Sequence, residues 1–258
     1  NMIINASDTD RRRFDHTVEL FTAGAPPAPA TLAGISKLGF NVTQVYGLTE
    51  TYGHVVECLW NSAWDDIPKE EQSSIKARQG VAMPMMEATT VVDKNCKQIP
   101  MDGTTQGEIV MRGNSVMKGY FKNPEATAKA FENGYFHSED IAVQHPDGMM
   151  QISDRMKDII ISGGENISSI EVEGAIMGHP AVSLCAVVAK PHEKWGEVPC
   201  AFVELLPGQS TNEAEIIKFV RSKLAGFKTP KQVIFQELPK TSTGKIQKFE
   251  LRAIAKTG

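Results

Sequence analysis

The chain has 258 residues, a formal net charge of -4 and 41% apolar residues. That length allows one large domain or two smaller ones, with a sizeable core. The charge balance gives no electrostatic drive towards nucleic acid, no basic run serves an anionic membrane surface, and no apolar run is long enough to span a bilayer.

Residues 1 to about 64 read as α/β. Val18 to Thr22 is a strand candidate. The loop Ala23-Gly-Ala-Pro-Pro-Ala-Pro29 is stiff, and the apolar spacing then predicts a helix over Ala30 to Leu38, stopped by Gly39. Asn41 to Tyr46 is the next strand, running into Tyr46-Gly-Leu-Thr-Glu-Thr-Tyr-Gly-His54. A strand, a crossover helix and a strand make a parallel pair, whose ligands gather beyond the strand C-termini. Asp65 to Gln79 is charged and is expected to be an exposed connection.

Residues 80 to about 152 look β-rich. Ala88 to Val92 and Gly107 to Met111 are strands, and Asp102-Gly103 and Asp147-Gly148 signal turns. One helix interrupts them, with Asn123 as its cap, Pro124 in its first turn and its body from Ala126 to Phe131. A strand from Gln151 then meets the charged segment Asp154-Arg-Met-Lys-Asp158, a short apolar strand Ile159 to Ile161, and Gly163-Gly164. A helix is expected directly after the glycines, with Ser168 and Glu171 as a capping box. Four charges between apolar strands are costly to bury, which argues for a boundary between two bodies. Beyond it the pattern is α+β: strands over Val182 to Ala189 and Cys200 to Leu205, and a helix capped by Thr211 with Ile217, Val220 and Leu224 on one face. A strand over Val233 to Gln236 and a helix over Phe249 to Lys256 follow.

Several stretches carry chemistry. Tyr46-Gly-Leu-Thr-Glu50 puts an aromatic ring, a hydroxyl and a carboxylate at a strand end, where they can meet a purine, a phosphate and a hard cation; a capped turn explains them equally well. Asp140 can accept the hydroxyls of a ribose, or serve a turn. Arg155 can donate to ribose or phosphate, or pair on the surface. Thr241-Ser-Thr-Gly-Lys245 lacks the spacing of a Walker A loop, yet its lysine can reach a developing negative charge. His54 and Trp60 are candidates for an apolar pocket or for ordinary packing. Cys58, Cys96, Cys185 and Cys200 form no C-x-x-C pair and read as thiols of a reducing cytosol.

Together, Gly24-Ala-Pro26, Tyr46-Gly-Leu-Thr-Glu50, Ser153-Asp-Arg-Met-Lys-Asp158 with Gly163-Gly-Glu-Asn166, and Pro239-Lys-Thr-Ser-Thr-Gly-Lys245 resemble the adenylate-forming superfamily. The context of the second stretch is similar to the branch holding methylmercaptopropionyl-CoA ligases and alkanoate-CoA ligases. The resemblance implies the C-terminal half of such an enzyme. Residues 1–156 would be the end of a large adenylating domain, α/β to about residue 64 and β-rich over about 80–152. Residues 157–258 would be a small, mobile α+β domain hinged at Lys157. It also implies ATP or AMP, Mg²⁺ and CoA as ligands, and a two-step ligase joining a short- or medium-chain carboxylic acid to CoA through acyl-AMP. By the same resemblance, Gly24, Ala25, Pro26, Tyr46, Gly47, Thr49, Asp140, Ile152, Arg155 and Lys245 would bind nucleotide. Thr49, Glu50 and Lys245 would be catalytic, Glu50 holding the metal. Gly163 and Gly164 would line a pantetheine tunnel, and Gly53 and His54 the acyl pocket. The family's triphosphate loop precedes the stretch covered here, so the 258 residues are expected to be incomplete as an enzyme. A cytoplasmic location is expected, with no nucleic-acid or membrane partner; a homodimer is compatible with the reading. Rival readings are an acyl-AMP ligase, a peptide-synthetase adenylation domain, and a nucleotide-binding remnant without catalysis.

Overall fold

The computed structural model describes residues 2–7, 9–10, 12, 14–24, 29–242 and 244–257, and their packing divides the chain into two units, Asn1–Ser153 and Asp154–Gly258. The division falls within the charged run, a few residues before Lys157.

In unit 1 a short helix α1 (Met2–Asn5) precedes strand β1 (Val18–Thr22), helix α2 (Pro29–Ser36) and strand β2 (Phe40–Leu48). β1 and β2 are parallel, Val18 opposite Phe40, as the strand–helix–strand pattern requires. Leu32 and Ile35 of α2 bury against Val42 of β2. Gly39 takes a φ of +89°, a left-handed turn that glycine makes without steric cost. β2 extends two residues past Tyr46, turns through a 3₁₀ segment Thr49–Thr51, and returns antiparallel as β3 (Gly53–Glu57). The segment expected as an exposed connection holds a helix, α3 (Lys69–Lys76). Ala77 just beyond it joins the α2–β2 core, the half-buried Lys76 donates to Asn41 Oδ1 at 2.7 Å, and Gln72 is buried with its amide donating to Asp65 O at 2.9 Å and Ile67 O at 3.0 Å. Only Ile67, Ile75 and Ala77 are aliphatic in that segment, too few at helical spacing to announce a buried face. β4 (Val81–Ala82) completes a sheet ordered β1-β2-β3-β4.

A second sheet is ordered β5 (Met86–Val92), β6 (Gln106–Gly113), β7 (Phe136–Gln144) and β8 (Met150–Arg155). Helix α4 (Pro124–Ala130) interrupts it, and the Asn123 side chain accepts the Ala126 N–H at 3.1 Å, the cap the sequence announces.

Among the described residues the sheet of unit 2 has five strands. β9 (Ile160–Ser162) and β10 (Glu165–Ile167) form a hairpin. Gly163 and Gly164, with φ of +62° and +89°, are its two-residue turn and do not lead directly into a helix. Positive φ at both central residues suits the twist of a tight hairpin. Helix α5 (Ser169–Met177) starts one residue after β10, its cap Ser168 accepting the Glu171 N–H at 3.1 Å. The Glu171 carboxylate pairs with Lys228 at 2.7 Å. β11 (Val182–His192) and β12 (Gly196–Leu205) form the long antiparallel centre, and β13 (Gln232–Phe235) lies parallel to β12. Helix α6 (Glu213–Arg221) is capped by Asn212 rather than Thr211. Asn212 accepts the Glu215 N–H at 3.0 Å, while Thr211 donates to the Glu215 carboxylate at 2.7 Å. Ile216 and Val220, four residues apart, are the buried pair; Ile217 and Leu224 are only partly buried. The last helix is α7 (Lys248–Thr257).

Alternation along β11 and β12 loads both faces of this sheet. Cys185, Val187, Ala201 and Val203 meet α5 and α6. Ala186, Val188, Cys200 and Phe202 meet Leu251 and Ala255 of α7.

Candidate nucleotide site

The site in unit 1 is built where β2 runs out. Tyr46 lies opposite Val56 and Gly47 opposite His54, so the ladder slips by one residue between them. A Cβ on Gly47 would fall 2.6 Å from His54 Cα and closer still to Gly53 O. Only glycine lets the strands close there. The 3₁₀ turn beyond is held by Thr51, whose Oγ1 accepts the Leu48 N–H at 2.9 Å and lies 2.8 Å from Gly53 O. Thr49 is exposed at its start and Glu50 is half-buried.

The Tyr46 hydroxyl donates to Asp140 Oδ2 at 2.6 Å. Both residues are buried, Tyr46 7% and Asp140 2% exposed. Asp140 gets there by a bulge. Glu108 pairs with Ile141 and Val110 with His137, leaving Ser138, Glu139 and Asp140 opposite Ile109 alone. Glu139 takes a φ of +59°. The displaced backbone is satisfied locally: Ser138 Oγ donates to Ile109 O at 2.7 Å and accepts the Asp140 N–H at 3.1 Å, and the Glu139 N–H reaches the Glu108 carboxylate at 2.9 Å. A carboxylate has about four lone-pair directions, and acceptors of this kind suit the hydroxyls of a diol.

Sequence reasoning missed Tyr120. Its hydroxyl donates to Glu50 Oε1 at 3.2 Å, and the Met117 N–H donates to Glu50 O at 2.7 Å. Burial, and then the Glu50 charge, push the Tyr120 phenol above its ordinary value. Gly119-Tyr120 gave no local signal, since its partner is 70 residues away. Among the described residues no group of three or more His, Cys, Asp or Glu could hold a metal. A single accessible carboxylate at Glu50 fits Mg²⁺, which commonly takes one or two protein carboxylates and completes its shell with phosphate and water oxygens.

The remaining assignments scatter. Gly24 is exposed at a φ of +90°; Ala25 and Pro26 lie outside the described residues. Gly53 has a φ of +123°. His54 is half-exposed on β3, 3.9 Å from Glu57. Trp60 meets Trp64 edge-on and lines a shallow cleft with Leu59, Val81 and Met149, and His54 is not in that lining. Ile152 is buried, its N–H donating to Gln79 Oε1 at 2.5 Å.

In unit 2 Arg155 is half-buried and Lys157 exposed. The charged run is not wholly a surface feature: Asp154 is 1% exposed and accepts the Ser169 N–H at 2.5 Å, at the start of α5. A carboxylate is stabilised at that end by orphan amides and the helix dipole. Gly163 donates to Trp195 O at 2.8 Å and a Cβ there would meet the indole at 2.9 Å, whereas a Cβ on Gly164 would meet open space. Lys245 is exposed on a tight turn in which the Thr241 N–H donates to Lys245 O at 2.8 Å and the Lys245 N–H to Thr241 Oγ1 at 3.1 Å.

A buried tyrosine–aspartate pair thus lies beside the end of a parallel strand, with a carboxylate four residues on. The chain belongs to the adenylate-forming AMP-binding enzyme family. Family models described as AMP-binding enzyme and AMP-binding enzyme C-terminal domain match residues 1–121 and 171–245. The chain is 53% identical to an acetate–CoA ligase of Humulus lupulus, over 99% of this chain and 46% of that protein. It is 49% identical to a 4-hydroxybutyrate–CoA ligase of Metallosphaera sedula, over 98% and 46%. ATP-bound MatB from Rhodopseudomonas palustris superposes with a TM-score of 0.80 at 32% identity, covering 92% of this chain and 45% of that one. The o-succinylbenzoate CoA synthetase of Bacillus subtilis with its acyl-adenylate gives 0.79 at 27% identity, covering 95% and 48%. The chain thus spans about half the length of the relatives it matches.

Proposed function

We propose that this chain supplies the nucleotide floor and the adenylation lysine of an AMP-forming acid–thiol ligase acting on a short- or medium-chain carboxylic acid. The observation that carries the reading is the buried Tyr46–Asp140 hydrogen bond, with Glu50 and Thr49 on the following turn; relatives named as CoA ligases support the acceptor.

In the first half-reaction a carboxylate oxygen attacks the α-phosphorus of ATP and pyrophosphate leaves. Asp140 accepts the ribose hydroxyls, held in direction by Tyr46, whose ring also lies against adenine. Gly24, Ala25 and Pro26 pass beside adenine and the acyl carbonyl, Ile152 packs near the nucleotide, and Arg155 donates to ribose. Thr49 donates to phosphate, and Glu50, steadied by Tyr120, would hold Mg²⁺. Bound Mg²⁺ would neutralise phosphate charge. Lys245 aims positive charge at the nonbridging oxygens and the carboxylate. In the second half-reaction the thiol sulfur attacks the acyl carbon, its proton passes to solvent and AMP leaves. The Gly163-Gly164 turn lets the thiol arm pass close to backbone, and Gly53 and His54 border the acyl group. Residues 157–258 form the mobile part, turning about Lys157 between the two steps. A cytoplasmic location belongs to the same proposal and agrees with four unpaired cysteines.

The test is made on the full-length protein containing this chain. Acid-dependent exchange of pyrophosphate into ATP, with AMP release that requires CoA, is the expected result. Exchange without any CoA-dependent release of AMP would instead indicate an acyl-AMP ligase or, if an amine consumes the adenylate, a catalyst like the amide bond synthetase of Marinactinospora thermotolerans, which shares the fold with a TM-score of 0.79 at 28% identity. Absence of exchange with any short- or medium-chain acid would overturn the reading.

A further inference from the structure

Helix α7 begins three residues after Lys245, and its first residue is Lys248. Lys248 Nζ lies 2.7 Å from Glu173 Oε1 and donates to Ser169 Oγ at 2.7 Å, both on α5. Ser169 is fully buried, and its hydroxyl donates onward to Asp154 Oδ1 at 3.1 Å. Asp154 also accepts the Arg155 N–H at 2.7 Å, so the chain of contacts ends in the segment leading to Lys157. Glu173 is satisfied a second time by the Val187 N–H at 2.8 Å. One turn along α7, Arg252 pairs with Asp158. Burial, only partly opposed by the Lys248 charge, raises the Glu173 carboxyl, and burial lowers Arg252. Such groups are retained at a desolvation cost that well-packed apolar residues would avoid.

The Gly163-Gly164 hairpin is anchored elsewhere. Its N–H to Trp195 O, the Ser162–Gly196 bridge and the Ile161 N–H to the Glu197 carboxylate at 2.9 Å all tie it to β12 or the turn before it. The two elements given different half-reactions above therefore have separate supports within unit 2.

We infer that Lys248 is a positioning residue for adenylation: bridging Glu173 and Ser169, it clamps the start of α7, and with it the Lys245 turn, to the Asp154–Asp158 segment. Lys245 then moves with α5 as one piece. The inference rests on the role proposed for Lys245.

The experiment is single-turnover kinetics on the full-length protein, with each half-reaction measured separately for wild type, K245A, K248M and K248R. The expected result is that K248M slows acyl-AMP formation at least tenfold at saturating ATP and acid. Thioester formation from supplied acyl-AMP should stay within twofold, and K248R should recover most of the loss. Equal slowing of both halves by K248M, or no slowing, overturns the inference. K245A keeps the two claims apart: normal adenylation by K245A would instead remove the reading on which the inference stands. Should K248M not fold, E173Q makes the same cut from the α5 side and is held to the same split.

Discussion

Replacing Tyr46 with Phe removes one hydroxyl and leaves the ring in place. The structure gives that hydroxyl a short bond, 2.6 Å to Asp140 Oδ2, between residues 7% and 2% exposed. A hydrogen bond to a charged group contributes about 1.5–3 kcal/mol, and the short O–H···O⁻ distance places this one among the stronger kind. Water cannot readily replace the lost donor at a site so enclosed, so Y46F should lower the stability of unit 1 by about 1.5–3 kcal/mol. For a unit of this size each kcal/mol moves the midpoint by about 2–4 °C, giving a fall of about 3–12 °C. Calorimetry of the 258-residue chain measures the fall, and a cycle with D140N isolates the pair, because the two variants should couple by more than about 1 kcal/mol. In the full-length protein Y46F should also weaken ATP through a less well-aimed Asp140, raising KM for ATP more than it lowers kcat. A midpoint within 1 °C of wild type (about 0.5 kcal/mol or less) together with negligible coupling would refute the argument that Tyr46 orients Asp140.

Gly47→Ala should destabilise unit 1 by at least about 1–3 kcal/mol, the range for forced overpacking, since its Cβ would press on the backbone of Gly53 and His54; a denaturation midpoint equal to wild type would show that the turn has room. Alkylation of the folded chain should modify half-buried Cys96 first, while Cys58 and Cys200, pushed up to about 11 by burial, and Cys185, pushed well up, react only on unfolding; mass mapping that found Cys58 labelled first would contradict this. The Glu173 carboxyl is raised above its ordinary 4.5, chiefly by burial. Its native form therefore keeps its proton to higher pH than the unfolded chain, and its contribution is full below 4.5 and declines as pH rises through the native value. The stability of wild type relative to E173Q should accordingly fall from acidic towards neutral pH, and a difference that grows over that window would reverse the assigned sign.

Local patterns account for much of the scaffold. The parallel pair β1–β2, the Asn123-Pro124 helix start and the long strands β11 and β12 each follow from spacing or capping over a few residues. The failures were also local: α3 has too few apolar residues to reveal a buried side, and Asn212 and Thr211 are neighbouring caps that only the backbone distinguishes. Glycine pairs permit a hairpin as readily as a loop before a helix, and only pairing between β9 and β10 selects the hairpin.

The candidate site divides along the same line. Tyr46, Thr49, Glu50, Asp140 and Lys245 were readable as residues able to do nucleotide chemistry. Their partners were not. Tyr46 and Asp140 are 94 residues apart, and Glu50 and Tyr120 are 70 apart. Sequence determines which groups are available and which short segments can be strands or helices, because those preferences act within a few residues. Tertiary structure alone decided that a three-residue bulge in β7 carries Asp140 to Tyr46 and that a half-buried lysine ties α7 to α5. Those contacts exist only once distant segments are packed and must satisfy each other's buried polar groups.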